Sequence, residues 1–156
     1  PELIEACKVS LLDRGFGQKS GANGSGWGKA NKVNLWARAK DGKRAYSMLR
    51  ELINKNIAPN LWDFHPPYQM DGNCGYTSGV CEMLCYSSDD IIELLPALPE
   101  EWKNGSVKGL CARGGYSLDF TWENGEIKSL SVYSSCGKKT ARIKTGDEIK
   151  TVKTVG

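Results

Sequence analysis

One stretch gathers most of the chemistry-bearing side chains of this sequence: His65-Pro66-Pro67-Tyr68-Gln69-Met70-Asp71-Gly72-Asn73-Cys74-Gly75. It offers a carboxylate at Asp71, the sole histidine of the chain at His65, and carboxamides at Gln69 and Asn73. Such a set suits catalytic proton transfer or hydrogen bonding to a polar ligand. Its proline and glycine content argues against a helix or a central strand. Loops on a rigid scaffold commonly carry binding and catalytic groups. Pro66 and Pro67 fix φ, and Pro66 also holds His65 extended, so the loop loses little entropy when it orders around a ligand. A plainer reading is a connection between helices in which Asp71 and Asn73 cap the next helix. The histidine six positions before the aspartate weighs against it.

These residues need elements to hold them, and the hydrophobic period supplies candidates. Residues 2–14 read as a helix with Leu3, Ile4, Cys7, Leu11 and Leu12 on one stripe. A glycine-rich loop follows, from Gly15 to Gly28. A second helix opens at Gly26-Trp27-Gly28 and runs to about residue 40. Its apolar residues go most of the way round, so it is expected to be buried on more than one side. Asp41-Gly42 breaks it, and Asp41 is a candidate cap for a third helix over 42–55. There Ala45, Met48, Leu49, Leu52 and Ile53 keep helical spacing. So short a turn makes the two helices an antiparallel αα-hairpin. Residues 56–73 form the proline-rich loop, and 74–87 return to helix with Val80, Cys81, Leu84 and Cys85 inward.

Beyond residue 90 the period changes to about two. Segments 91–95, 107–112, 116–122, 127–133, 140–144 and 149–155 read as strands. Asn124-Gly125 between two of them is a hairpin signal. The expected class is α+β: helices over 1–87, then a small antiparallel β-sandwich domain over 88–156.

Composition narrows the partners. The chain has 156 residues, 40% hydrophobic and 25% charged, with a net charge of +3. No basic cluster is interleaved with aromatics, so nucleic acid is not an expected partner. No apolar run approaches the length of a membrane span. The chain opens Pro-Glu-Leu-Ile inside an amphipathic helix and without an initiator methionine, so it reads as a piece of something longer. Six cysteines permit disulfides, but Cys74, Cys81 and Cys85 fall on one face of the expected helix and no CxxC or second histidine completes a metal set. Small apolar core residues in a reducing compartment are the simpler reading. That leans toward an intracellular location, with secretion left open.

Longer motifs carry a family resemblance. Gly26-Trp27-Gly28-Lys29-Ala30-Asn31-Lys32-Val33-Asn34-Leu35-Trp36-Ala37-Arg38 resembles the Thr-Gly-Trp-Ser…Lys-Ile-Asn-Leu-Trp-Ala-Arg helix of glycoside hydrolase family 95, the inverting α-L-fucosidases. Asp41-Gly42-Lys43-Arg44-Ala45-Tyr46 is similar to the start of the family's next helix. Asn60-Leu61-Trp62-Asp63-Phe64-His65-Pro66-Pro67-Tyr68-Gln69-Met70-Asp71-Gly72-Asn73 is similar to its Asn-Leu-Phe-Asp-x-His-Pro-Pro-Phe-Gln-Ile-Asp-Gly-Asn signature. Leu94-Leu95-Pro96-Ala97-Leu98-Pro99, Trp102 and the run Gly105 to Gly115 resemble the junction into its C-terminal β-domain. The resemblance covers nearly the whole chain. It departs at Ser25 and Gly28, which replace threonine and serine beside Trp27. It departs again at Asn31, where an aromatic is common, and at Cys74, where phenylalanine is usual.

The resemblance implies an N-terminal β-sandwich, an (α/α)6 toroid and a C-terminal β-domain, of which this chain holds the last toroid helices and the β-domain. It implies no cofactor and no metal. Inverting hydrolysis uses one carboxylic acid to protonate the leaving oxygen and a base-activated water on the opposite face, the carboxyls ~6.5–9.5 Å apart. Asp71 matches the family's base-side aspartate. The general-acid glutamate and the asparagines that hold the water have no counterpart here, so the chain alone is expected to be inactive. Glu82 and Glu93 match no catalytic motif.

His65 is a candidate sugar ligand or a brace for Asp71, Trp27 a platform for the apolar side of a pyranose, and Gln69 a hydroxyl ligand. Their plainer readings are a histidine on a backbone carbonyl, core packing and a loop brace. Trp36 and Trp62 read as core, Arg113 as a strut, and Lys138, Lys139, Lys150 and Lys153 as a solvated strand face. The implied partner is a fucosylated oligosaccharide. The alternatives are an α-L-galactoside as substrate, or a non-catalytic carbohydrate-binding or structural β-domain. A toroid cut open leaves apolar helix faces uncovered, so some self-association is expected.

Overall fold

The structure, a computed structural model, describes residues 2–14, 24–64 and 68–155. His65, Pro66 and Pro67 lie outside the described residues, as does most of the glycine-rich loop before Trp27. The chain divides into two compact units, Pro1–Met83 and Leu84–Gly156.

The first unit contains four helices: α1 (Glu2–Asp13), α2 (Gly26–Arg38), α3 (Gly42–Asn56) and α4 (Met70–Leu84). Ser25 caps α2, its hydroxyl oxygen accepting from Gly28 N at 3.3 Å, so this departure from the family pattern still satisfies a helix start. The turn into α3 is a Schellman end: Lys40, at φ 57°, donates to Ala37 O, and Asp41 N donates to Trp36 O. Asp41 then caps α3, accepting from Arg44 N at 3.0 Å. The expected αα-hairpin forms around Val33, Trp36 and Ala37 of α2 and Ala45, Met48, Leu49 and Leu52 of α3, all buried. The Arg44 guanidinium lies 5.2 Å from the Trp36 ring centroid. α4 lies close against α2. A Cβ on Gly75 would come 2.9 Å from Ala30 Cβ, and one on Gly79 would come 2.5 Å from Val33 Cγ1.

One reading of this unit needs correction. Met70 to Asn73, expected in the loop, are the first turn of α4. Gly72 is not a helix breaker there but a point of close approach. The apolar stripe of α1 stands uncovered: Leu3, Ile4, Cys7 and Leu12 are exposed and Leu11 is half-buried.

The second unit holds seven strands: β1 (Cys85–Ser87), β2 (Ile92–Leu94), β3 (Gly105–Ala112), β4 (Tyr116–Glu123), β5 (Glu126–Ser134), β6 (Thr140–Thr145) and β7 (Glu148–Lys153). They form a sheet of order β1-β2-β6-β7 and a three-stranded meander β3-β4-β5. All six expected strands are present. The seventh, β1, was expected to continue the preceding helix. It pairs instead with β2, Cys85 opposite Leu94. The β4–β5 turn runs through Asn124 and Gly125 at φ 51° and 77°, the left-handed pair that a two-residue hairpin requires. Inward residues alternate along the strands: Leu118, Phe120 and Trp122 on β4, Val132 on β5, Ala141 and Ile143 on β6.

One pair departs from the antiparallel expectation: β2 and β6 run parallel, Ile92 opposite Ile143. Parallel neighbours need a crossover connection, and here the whole β3–β5 meander supplies it. Glu93, buried on β2, sits opposite Lys144 and pairs with it at 3.2 Å. The α+β class holds.

The cysteines do not behave as a core set. None of the six forms a disulfide, and Cys7, Cys74, Cys111 and Cys136 are exposed. Only Cys81 and Cys85 are half-buried, and they lie on different elements, α4 and β1. Burial raises the Cys81 thiol pKa and the charge of Glu82 adds to it, so that thiol stays protonated and unreactive. No helix among the described residues is long and apolar enough to cross a membrane.

Candidate active site

The polar side chains of the first unit converge on a groove between α2 and α4. It has a volume of about 520 Å³, within the ~300–1,000 Å³ range of small-molecule sites. α2 lines it with Trp27, Asn31, Asn34, Leu35 and Arg38, and α4 with Asp71, Gly75 and Ser78. Both sets follow helical spacing, so each helix offers one continuous stripe.

Asp71 stands in the first turn of α4, exposed. A carboxylate near a helix N-terminus is favoured by the partial positive charge of that end. Trp27 stands in the first turn of α2 and is 43% exposed. Its ring is therefore available to a ligand rather than consumed by the core. Asn31 is exposed one turn further on. Asn34 ties the two helices together: its Nδ2 donates to Ala30 O at 2.9 Å and to Gly75 O at 2.8 Å, and its Oδ1 accepts from Ser78 Oγ at 3.0 Å. At the far end Arg38 Nη2 donates to Glu82 Oε1 at 2.8 Å. So exposed a pair is worth at most about 1 kcal/mol and mainly fixes where the guanidinium lies.

The segment leading into Asp71 is held from several sides. Asn73 Oδ1 accepts from Asp63 N at 2.9 Å, and its Nδ2 donates to Leu61 O at 2.7 Å. Phe64 N donates to Asn56 O at 2.9 Å. Asn56 itself is buried, receiving the Lys29 ammonium at 2.7 Å and donating to Gly24 O at 3.2 Å. Lys29 also faces Glu51 at 3.5 Å. The buried Lys29 side chain thus has both a carboxamide and a carboxylate as partners, as a buried polar group requires. This polar network joins the start of α2, the end of α3 and the segment after it.

Of the site residues expected from the sequence, Asp71 and Trp27 line the groove together. His65 lies outside the described residues. Gln69 is half-buried and not on the groove lining; its backbone braces the turn, with N donating to Asp63 O and O accepting from Gly72 N, both at 3.3 Å. Asn73, the other carboxamide of the stretch, is used up by backbone groups. Trp62, expected in the core, is 55% exposed and packs on Tyr68 with ring centroids 4.7 Å apart. The reason is local: Leu61 adopts φ 67°, closing a turn that donates to Ala58 O and throws the next side chain outward. Asn34, Arg38 and Ser78 were given no site role. Their signal was the spacing 27-31-34-38 against 71-75-78-82. Among the described residues no three His, Cys, Asp or Glu side chains gather as metal ligands.

A helical unit carrying an open polar groove is followed along the chain by a β-rich unit. The comparisons agree in detail. Residues 1–84 match the model of the glycosyl hydrolase family 95 catalytic domain. Residues 86–155 match that of the glycoside hydrolase family 95 C-terminal domain. The chain belongs to glycoside hydrolase family 95.

It is 34% identical over 146 residues to a protein named alpha-L-fucosidase 2 from Arabidopsis thaliana, covering 86% of this chain and 17% of that protein. It is 35% identical over 136 residues to a probable alpha-fucosidase A of Aspergillus oryzae (76% and 18%), and 31% identical over 159 residues to one of Aspergillus niger (91% and 20%). The chain thus spans about a fifth, or less, of the length of these relatives.

Proposed function

We propose that this chain is the C-terminal part of a glycosidase that removes terminal α-L-fucosyl groups with inversion, with Asp71 on the base side. The observation that supports this reading best is the convergence of Asp71 and Trp27 on one groove. On this reading a water oxygen attacks the anomeric carbon and its proton passes toward Asp71. The glycosidic C–O bond breaks, and the leaving oxygen takes a proton from a carboxylic acid elsewhere in the full-length protein. Trp27 presents an apolar face to the pyranose ring, and His65 serves its hydroxyls; Gln69, off the groove lining, keeps its role as a loop brace. The helices close an (α/α)6 toroid and the strands form its C-terminal β-domain.

The test is release of fucose from 2′-fucosyllactose by the full-length protein, with this chain alone expected to be silent. A silent full-length protein would sink the fucosidase reading. One observation favours a second substrate, an α-L-galactoside, which carries one hydroxyl more. Asn31 places a carboxamide on the groove where relatives commonly carry an aromatic. Turnover of α-L-galactosides in preference to fucosides would decide for it.

The uncovered stripe of α1, with Leu3 83% and Leu12 46% exposed, supports self-association of the isolated chain. Its apparent mass in light scattering is expected to rise with concentration. A constant monomer mass over a hundredfold concentration range would refute this.

A further inference from the structure

Asp63 is a fully buried ionisable group beside the groove that the reaction outlined above does not use. Its side chain is 0% exposed. Two glycines press on its carboxylate from different helices. A Cβ on Gly26, the first residue of α2, would lie 1.5 Å from Asp63 Oδ1. A Cβ on Gly72, in the first turn of α4, would lie 1.7 Å from Asp63 Oδ2. The carboxylate therefore fills the space that both glycines leave open. Two helix N-termini meet at this carboxyl group, and the partial positive charge of each favours negative charge there. The backbone of the same residue is fixed to α4 as well: Asp63 N donates to Asn73 Oδ1 at 2.9 Å, and Asp63 O accepts from Gln69 N at 3.3 Å. The sequence neighbours of the two glycines give this its consequence. Trp27 follows Gly26, and Asp71 precedes Gly72.

We infer that Asp63 is a positioning residue: its carboxylate is the wedge that sets α2 against α4 and so fixes Asp71 relative to Trp27 across the groove. The inference rests on the reading of Asp71 as the base-side carboxylate. Displacing a catalytic group by about 1 Å can cost ~100-fold in rate, and a wedge at the root of both helices controls displacements of that size. Geometry of attack suffers more than ground-state binding, so the loss belongs in kcat.

The experiment measures kcat and KM of the full-length protein on an aryl α-L-fucoside, normalised to the folded fraction by near-UV circular dichroism at the assay temperature. The variants are Asp63→Asn, Asp63→Ala, Asp63→Ala with Gly72→Ala, and Asp71→Asn. Asp63→Asn keeps the volume but turns N–H donors toward helix ends that need acceptors. It is expected to lower kcat about 10- to 100-fold with KM within about threefold. Asp63→Ala is expected to lose at least as much, and adding Gly72→Ala, which refills the space from the other side, to recover part of it. If Asp63→Ala does not fold, Asp63→Asn decides alone. Folded Asp63 variants with kcat and KM within about twofold of the parent, beside an inactive Asp71→Asn, would overturn the inference and leave the base reading intact. A fully active Asp71→Asn would remove both.

Discussion

Replacing Asp71 with asparagine in the full-length protein is expected to lower kcat by several orders of magnitude while KM stays nearly unchanged. The substitution is close to isosteric and removes only the ability to take a proton. General acid–base groups contribute typically ~10²–10⁴ in rate, and in an inverting enzyme no second carboxylate on that face replaces the base. The side chain is exposed in the first turn of α4, so packing is unaffected. The one stability term at stake is the attraction between carboxylate and helix N-terminus, about 0.3–1 kcal/mol. The two effects therefore separate by size: a rate loss equivalent to several kcal/mol against a stability change below about 1 kcal/mol. Steady-state kinetics beside thermal unfolding of the same sample reads both. Full activity in Asp71→Asn on any substrate would return the residue to a helix-capping role. A large drop in melting temperature would mean that the carboxylate is structural and that the kinetic loss carries no mechanistic weight.

What the sequence could and could not reveal here follows from the range of each interaction. The αα-hairpin, the β-strands and the Asn124-Gly125 turn depend on residues a few positions apart, and local periodicity finds them. The start of α4 does not work that way. Met70-Asp71-Gly72-Asn73 looks like a turn because glycine and asparagine disfavour helix interiors. The glycine is needed there for a reason that lies on another segment, the Asp63 carboxylate. The parallel β2–β6 pair is invisible for the same reason, since its two strands are separated by the whole meander. Trp62 looks like core by type, and only the left-handed turn at Leu61 puts it outside. The groove was half legible. Asp71 and Trp27 stand out by residue type and motif. Asn31, Asn34 and Arg38 were masked by the apolar residues between them, which make α2 look buried on all sides, although five of its positions line an open groove.

That distant constraint gives the second large effect. Gly26→Ala and Gly72→Ala are each expected to destabilise the helical unit by about 3 kcal/mol, the upper end of ordinary overpacking losses. Propensity argues the other way, because alanine is better than glycine in a helix by ~1 kcal/mol, and an open site would show a gain. Sterics decide: the added methyl carbon would sit 1.5 or 1.7 Å from a carboxyl oxygen that is fully buried, and a packed interior absorbs such an overlap only by shifting its neighbours. The order among the glycines is the sharper expectation. Gly79, at 2.5 Å from a valine methyl, and Gly75, at 2.9 Å from an alanine methyl, meet neighbours that yield by small shifts, so their alanine variants are expected to lose progressively less. Thermal unfolding of the full-length variants, followed at 222 nm, tests the series. Relief of the Gly72→Ala loss by a simultaneous Asp63→Ala would identify the carboxylate as the obstacle, because two residues in contact are non-additive where distant ones simply add. If Gly72→Ala melts at or above the parent temperature, the carboxylate does not occupy that space, and the wedge between α2 and α4 falls with it.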